Sequence, residues 1–378
     1  MSKKKETFIF RILPGTILIF AIVNAYNQFS NKSLGNYNLF ISIALILLNT
    51  WLIIVQHELG HAIFLKLKKL PIRSIFIPFL SIHFSDNIKC KISSSWASEG
   101  LVIPDIPIIN NESDFIQLKA TYLNFLLAGP LVSIIFYGIE ISLLLITQYF
   151  CPTLTDYCAI LILHTCIQTF FLLQNCFKES NNNMGDIIAI ERVKKDNLFF
   201  ASYVYCCYFF SENYKSKINE CGYIKNIIKE KLIAMSDEQL VCEADLLDEI
   251  IYRTISGLDN YFNDFLNEKI YSLTDRLFDS LSNQTHEGQN VISSYFHALM
   301  YIIIVCNNRN KALELYNLAE GFIQLHNPMC KYLHSQIRYL LYLETNKPKD
   351  IYPVTEYENW SFYKQYYICE NAIFTSIM

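Results

Sequence analysis

The chain is poor in charge: only 17% of its 378 residues are Asp, Glu, Lys or Arg. It is equally poor in charge imbalance, with a formal net charge of -4. That near-neutral balance removes the electrostatic case for a nucleic-acid partner. Twelve cysteines are present, yet no C-x-x-C pair occurs, which argues against a cysteine metal cluster. Cysteines scattered in this way behave as buried, reduced small hydrophobes. Cys151 and Cys158 flank a polar turn and form the one pair placed for a disulfide. A cleavable leader is also missing its marks. Arg11 and Pro14-Gly15 interrupt the apolar stretch from Phe8 to Val23, and no small-x-small site follows it.

What the chain has instead is apolar residues, at 52%, with a mean hydropathy of +0.22. They are concentrated in the first half. Spans of roughly 20 apolar residues fit a bilayer core, and four segments are read that way, near 8–25, 37–67, 117–150 and 157–177. Lysines near the N-terminus and Lys66, Lys68, Lys69 and Arg73 after the second segment assign both positions to the cytoplasm. Between the second and third segments, residues 72–104 are apolar but short-phrased and interrupted by Pro78. This predicts strands or a re-entrant hairpin at the membrane surface. From residue 196 onward the spacing is helical and the composition soluble, as in a bundle or a stack of helical hairpins. The expected fold class is therefore an all-α polytopic membrane domain (1–195) with a small membrane-associated β-region, followed by an α-helical soluble domain (196–378).

The chemistry concentrates in His57-Glu58-Leu59-Gly60-His61, at the end of the second apolar segment. Residues four apart on a helix project from one face, so His57 and His61 can grip one metal ion. Glu58 is then placed to act as general base. A catalytic zinc site takes three protein ligands, so a third must come from elsewhere. Asp186 is the favoured candidate because it follows the fourth segment back to the cytoplasmic side. Glu99, Asp105 and Asp114 lie in a polar loop on that side and are its rivals. Two further ionisable residues, Glu140 and His164, are predicted at similar depth in neighbouring spans, where they would pair. His83 falls in the strand-like region. His286, His297, His326 and His334 show no ligand spacing to one another.

His57-Glu58-Leu59-Gly60-His61, Ala128-Gly129-Pro130-Leu131 and an Asp after the next apolar segment together resemble the site-2 protease family of zinc metalloproteases. The resemblance covers about the first half of the chain. It departs from the family pattern at Gly185-Asp186, where the family has Asp-Gly, and at Ser133, where the family commonly has Asn. It implies a Zn2+ cofactor held by His57, His61 and Asp186, with Glu58 as the catalytic base for hydrolysis by zinc-activated water. It further implies a membrane-associated peptide or membrane-tethered protein as substrate, held by strand addition to the β-region. The expected setting is a bacterial cell membrane, with a multi-pass chain whose N-terminus and C-terminal domain are cytoplasmic. The C-terminal domain would select substrates or bind a cytoplasmic protein partner. The rival readings are a non-catalytic membrane scaffold that keeps the fold and a transporter with a metal site at mid-membrane.

Overall fold

The computed structural model describes residues 37–84, 88–92, 100–150, 165–172, 176–177, 185–211, 213–282, 289–323, 328–348 and 372–373. It divides into two units, one comprising residues 1–105 and 116–196 and the other residues 106–115 and 197–378.

The first unit is organised by two long helices and a sheet. Helix α1 (Tyr37–Leu67) ends in the His-Glu motif. The chain then forms β1 (Ile72–Ile77), β2 (Leu80–His83), β3 (Lys89–Ile92) and β4 (Leu101–Pro104). These strands make one antiparallel sheet in the order β3-β2-β1-β4. The hairpin between β1 and β2 turns at Pro78 and Phe79, with Ile77 paired to Leu80. The Trp51 indole donates to the Pro78 carbonyl at 2.9 Å, which ties α1 to that turn. Ile75, Ile77, Val102 and Ile103 are buried, as are Ile53, Ile54, Ala62 and Leu65 of α1. Helix α2 (Glu112–Phe150) carries Pro130 in its interior, and helix α3 (Asp186–Lys195) closes the unit.

The expected polytopic membrane domain is not what the structure supports. Among the described residues one stretch, Glu112–Leu143, is long and apolar enough to cross a membrane. The segments expected near 8–25 and over most of 157–177 lie outside the described residues. The run at 37–67 does form a helix, with Ile53, Ile54, Ala62 and Leu65 buried within the protein and Leu47, Leu48, Leu59, Ile63 and Leu67 exposed. Hydropathy cannot separate these cases, because a core helix and a lipid-facing helix are equally apolar. Both long helices bury some apolar residues (Ile53, Ile54 and Leu65 of α1; Phe125 and Leu126 of α2) and leave others about half exposed (Leu47, Leu48, Leu59 and Ile63 of α1; Ile134, Ile135, Ile139 and Leu143 of α2).

The second unit is helical: α4 (Asn197–Phe209), α5 (Tyr214–Glu220), α6 (Gly222–Ile233), α7 (Asp237–Cys242), α8 (Ala244–Ile255), α9 (Asn263–Ser282), α10 (Gln289–Ile304), α11 (Arg309–Ala319) and α12 (Pro328–Leu340). α10 packs against α8, α9, α11 and α12, and Ser294 to Ile303 are buried without a break. An apolar helix with no polar face belongs in that central position. The apolar helix α4 is likewise core, with Phe200, Ala201, Val204, Tyr205, Tyr208 and Phe209 buried. Residues 106–115 join this unit although their chain neighbours on both sides belong to the other. The Tyr208 hydroxyl donates to the Pro107 carbonyl (3.0 Å) and accepts from the Ile109 amide (3.1 Å). Phe115 packs on Phe200.

A candidate metal centre in the first unit

His57 and His61 occupy successive turns of α1, and both are buried. Their ring centroids are 5.0 Å apart and the rings stand nearly perpendicular. Asp186, the first residue of α3, approaches from the other side. Its Oδ2 lies 2.9 Å from His57 Nε2 and 3.5 Å from His61 Nε2. One ligand atom from each of the three residues falls within 4.8 Å of the others, so the group could hold a metal ion. The donor set suits one: two imidazole Nε2 atoms and a carboxylate.

The far side of each ring is also engaged. His61 Nδ1 donates to the Phe125 carbonyl at 2.7 Å, and His57 Nδ1 contacts Ser133 Oγ at 3.1 Å. Both partners belong to α2. With Nδ1 so occupied, each ring presents Nε2 to the centre. Glycines make the close approach possible. A Cβ on Gly129 of α2 would collide with His61 Nε2 and lie 2.8 Å from His57 Nε2. A Cβ on Gly60 would lie 2.7 Å from the Ala128 carbonyl oxygen. The two helices therefore touch backbone to backbone where the imidazoles sit.

Glu58 is buried beside the pair. Burial raises its carboxyl to about 7, although the nearby His61 and His57 pull in the opposite direction. Burial would raise Asp186 as well, but the hydrogen bonds from His57 and His61 outweigh that cost and bring it down to about 2. Gly100, directly before β4, faces the Glu58 carboxyl so closely that any Cβ there would overlap it.

Of the rival carboxylates, Asp114 accepts from the Asn110 amide and the Asn111 side chain at the start of α2, and Asp105 donates its amide to the Pro71 carbonyl. Neither joins the group; Glu99 lies outside the described residues. His83 is not in the group either: its Nδ1 bonds Ser74 Oγ at 2.7 Å. Burial, with help from Arg73 and Lys89, pushes it down to about 4. In the second unit His297 bonds Asp248 and His334 bonds Tyr316. His164, the expected partner of Glu140, is outside the described residues, as are Cys151, Cys158, His286 and His326. Among the described cysteines, Cys90 and Cys242 are exposed rather than buried. Sequence reasoning did not anticipate Gly100, the Phe125 carbonyl or the contact of Ser133 with His57. Only the close approach at Gly129-Pro130 carried a sequence signal.

Comparison with models of protein families, with curated proteins and with solved structures finds no match to this chain.

Proposed function

We propose that the chain is a zinc-dependent endopeptidase acting on membrane-associated peptides or membrane-tethered proteins. The observation that carries the proposal is the meeting of His57, His61 and Asp186 from opposite ends of the first unit, with the buried acid Glu58 one residue from the first ligand. Two imidazoles and one carboxylate are the ligand set of hydrolytic zinc sites. A bound zinc ion would supply Lewis-acid activation of water and of the scissile carbonyl.

The remaining work falls to the chain's own residues. His57 and His61 would hold the ion through Nε2, and Asp186 through a carboxylate oxygen. Glu58 accepts the proton of the attacking water and returns it to the leaving amine. β4 pairs with β1 on one side only among the described strands, so its other edge offers unpaired backbone groups to an extended peptide. Such a peptide would run beside Glu58, because Gly100 enters β4 against that carboxyl. The half-exposed apolar face of α2, at Ile134, Ile135, Ile139 and Leu143, supports a lipid environment for the substrate.

The test compares wild type, Glu58→Gln and Asp186→Ala as full-length proteins in detergent. A quenched-fluorescent apolar peptide reports cleavage, and elemental analysis reports metal. Glu58→Gln should keep its zinc and lose cleavage by a factor of at least about 100. Unimpaired cleavage by Glu58→Gln would end the proposal.

A further inference from the structure

Both metal-binding imidazoles are gripped from behind by one helix. Phe125 and Ser133 lie eight residues apart on α2, roughly two turns, on either side of Gly129-Pro130. The Phe125 carbonyl takes the Nδ1 proton of His61, and Ser133 Oγ stands 3.1 Å from His57 Nδ1. Gly129, between them, lets the helix backbone pass against the rings.

Ser133 is the one member of this arrangement whose contribution comes from a side chain. It is 3% exposed, so water does not compete for its hydroxyl. When His57 Nε2 carries a metal, Nδ1 must carry the proton, and Ser133 Oγ is the acceptor in reach. A buried Nδ1–H without that acceptor would be an orphan donor, and the ring would be free to rotate or to change tautomer.

We infer that Ser133 is a positioning residue for the metal centre: its hydroxyl fixes the tautomer and orientation of His57, so α2 supplies the outer half of the site that α1 and α3 line. This rests on the metal-site reading above. It assigns to this hydroxyl a task on the ligand itself rather than on the substrate.

The experiment uses full-length protein in detergent and Co2+ as a spectroscopic probe. Ser133→Ala, Ser133→Thr and Ser133→Val are each titrated against a chromophoric chelator. Thr and Val have the same branched shape and differ by the hydroxyl, so any packing cost is shared. The expected result is Co2+ binding about 10–100-fold weaker for the Ala and Val variants than for wild type. Their cobalt absorption bands should also move, while Thr retains affinity and spectrum closer to wild type. Equal affinity and spectrum for Thr and Val, or a Ser133→Ala variant indistinguishable from wild type, would overturn the inference. Wild type that binds no Co2+, or binding that survives Asp186→Ala, would instead reject the metal site itself.

Discussion

Gly129→Ala places one methyl group at the point where α2 meets the two imidazoles. In that position the methyl would overlap His61 Nε2 and lie 2.8 Å from His57 Nε2. Neither ring can simply retreat. His61 is tethered at 2.7 Å to the Phe125 carbonyl and His57 to Ser133 at 3.1 Å, both on the helix that carries the new methyl. Moving α2 away would open its close backbone contact with Gly60 and stretch both hydrogen-bond tethers. Overpacking of this kind costs about 1–3 kcal/mol, and here it falls on the ligand atoms that would face the metal. Ala is about 1 kcal/mol better than Gly in a helix interior, with or without metal, so roughly 0–2 kcal/mol of that cost stays in the fold, and any ring shift that relieves it displaces Nε2 from the metal position. Metal affinity should therefore drop by roughly 5–150-fold, with a loss of stability of no more than about 2 kcal/mol in the chelator-treated protein. Competition with a chromophoric chelator measures the first quantity, and urea unfolding followed by circular dichroism measures the second. Wild-type metal affinity in Gly129→Ala would refute the placement of α2 against the imidazoles.

Two further perturbations separate the site from its scaffold. Glu58 titrates at 4.5 when unfolded and at about 7 in the metal-free fold, because burial penalises its charge. The folded state then holds the extra proton between those values, so wild-type stability falls as pH rises through that window and the full penalty is present above pH 7. The gap corresponds to roughly 3 kcal/mol. Glu58→Gln should accordingly gain stability over metal-free wild type between pH 5 and pH 8, and a difference that stays constant with pH would contradict the burial argument. In the second unit, Asp259 accepts from Lys225 at 2.9 Å and from the Tyr205 hydroxyl at 2.8 Å, all three being buried. Asp259→Ala strands the lysine and should destabilise the unit by about 3–5 kcal/mol, with a smaller loss for Lys225→Met/Asp259→Leu. A single-variant loss under about 1 kcal/mol in urea titrations would show that the pair does not hold this core.

How much of this was legible in the sequence depends on the range of the interaction. The placement of His57 and His61 on one helical face follows from local geometry, and the need for a third ligand follows from coordination chemistry. Asp186 itself was singled out through a four-span topology that the structure does not support, although it does join the two histidines. The strands within 72–104 could be read from their short apolar phrases around Pro78. The polytopic membrane reading went beyond the structure, in which one stretch among the described residues, Glu112–Leu143, is long and apolar enough to cross a membrane; hydropathy is blind to what covers a side chain such as Ile53, Ile54 or Leu65 of α1. Gly100 could not have been linked to Glu58, because the contact joins residues forty-two apart through a sheet. The Phe125 carbonyl has no side-chain signature at all. Residues 106–115 read as a polar loop between spans, yet Tyr208 and Phe200 draw them into the helical unit, a long-range choice that local composition does not encode.

The central claim is that His57, His61 and Asp186 together hold a metal ion, and zinc content measures it most directly. Wild-type protein purified in detergent and equilibrated with trace zinc should carry close to one ion per chain, and Asp186→Ala, treated identically, should lose most of it. Wild type without zinc, or Asp186→Ala with a full complement, would contradict the claim.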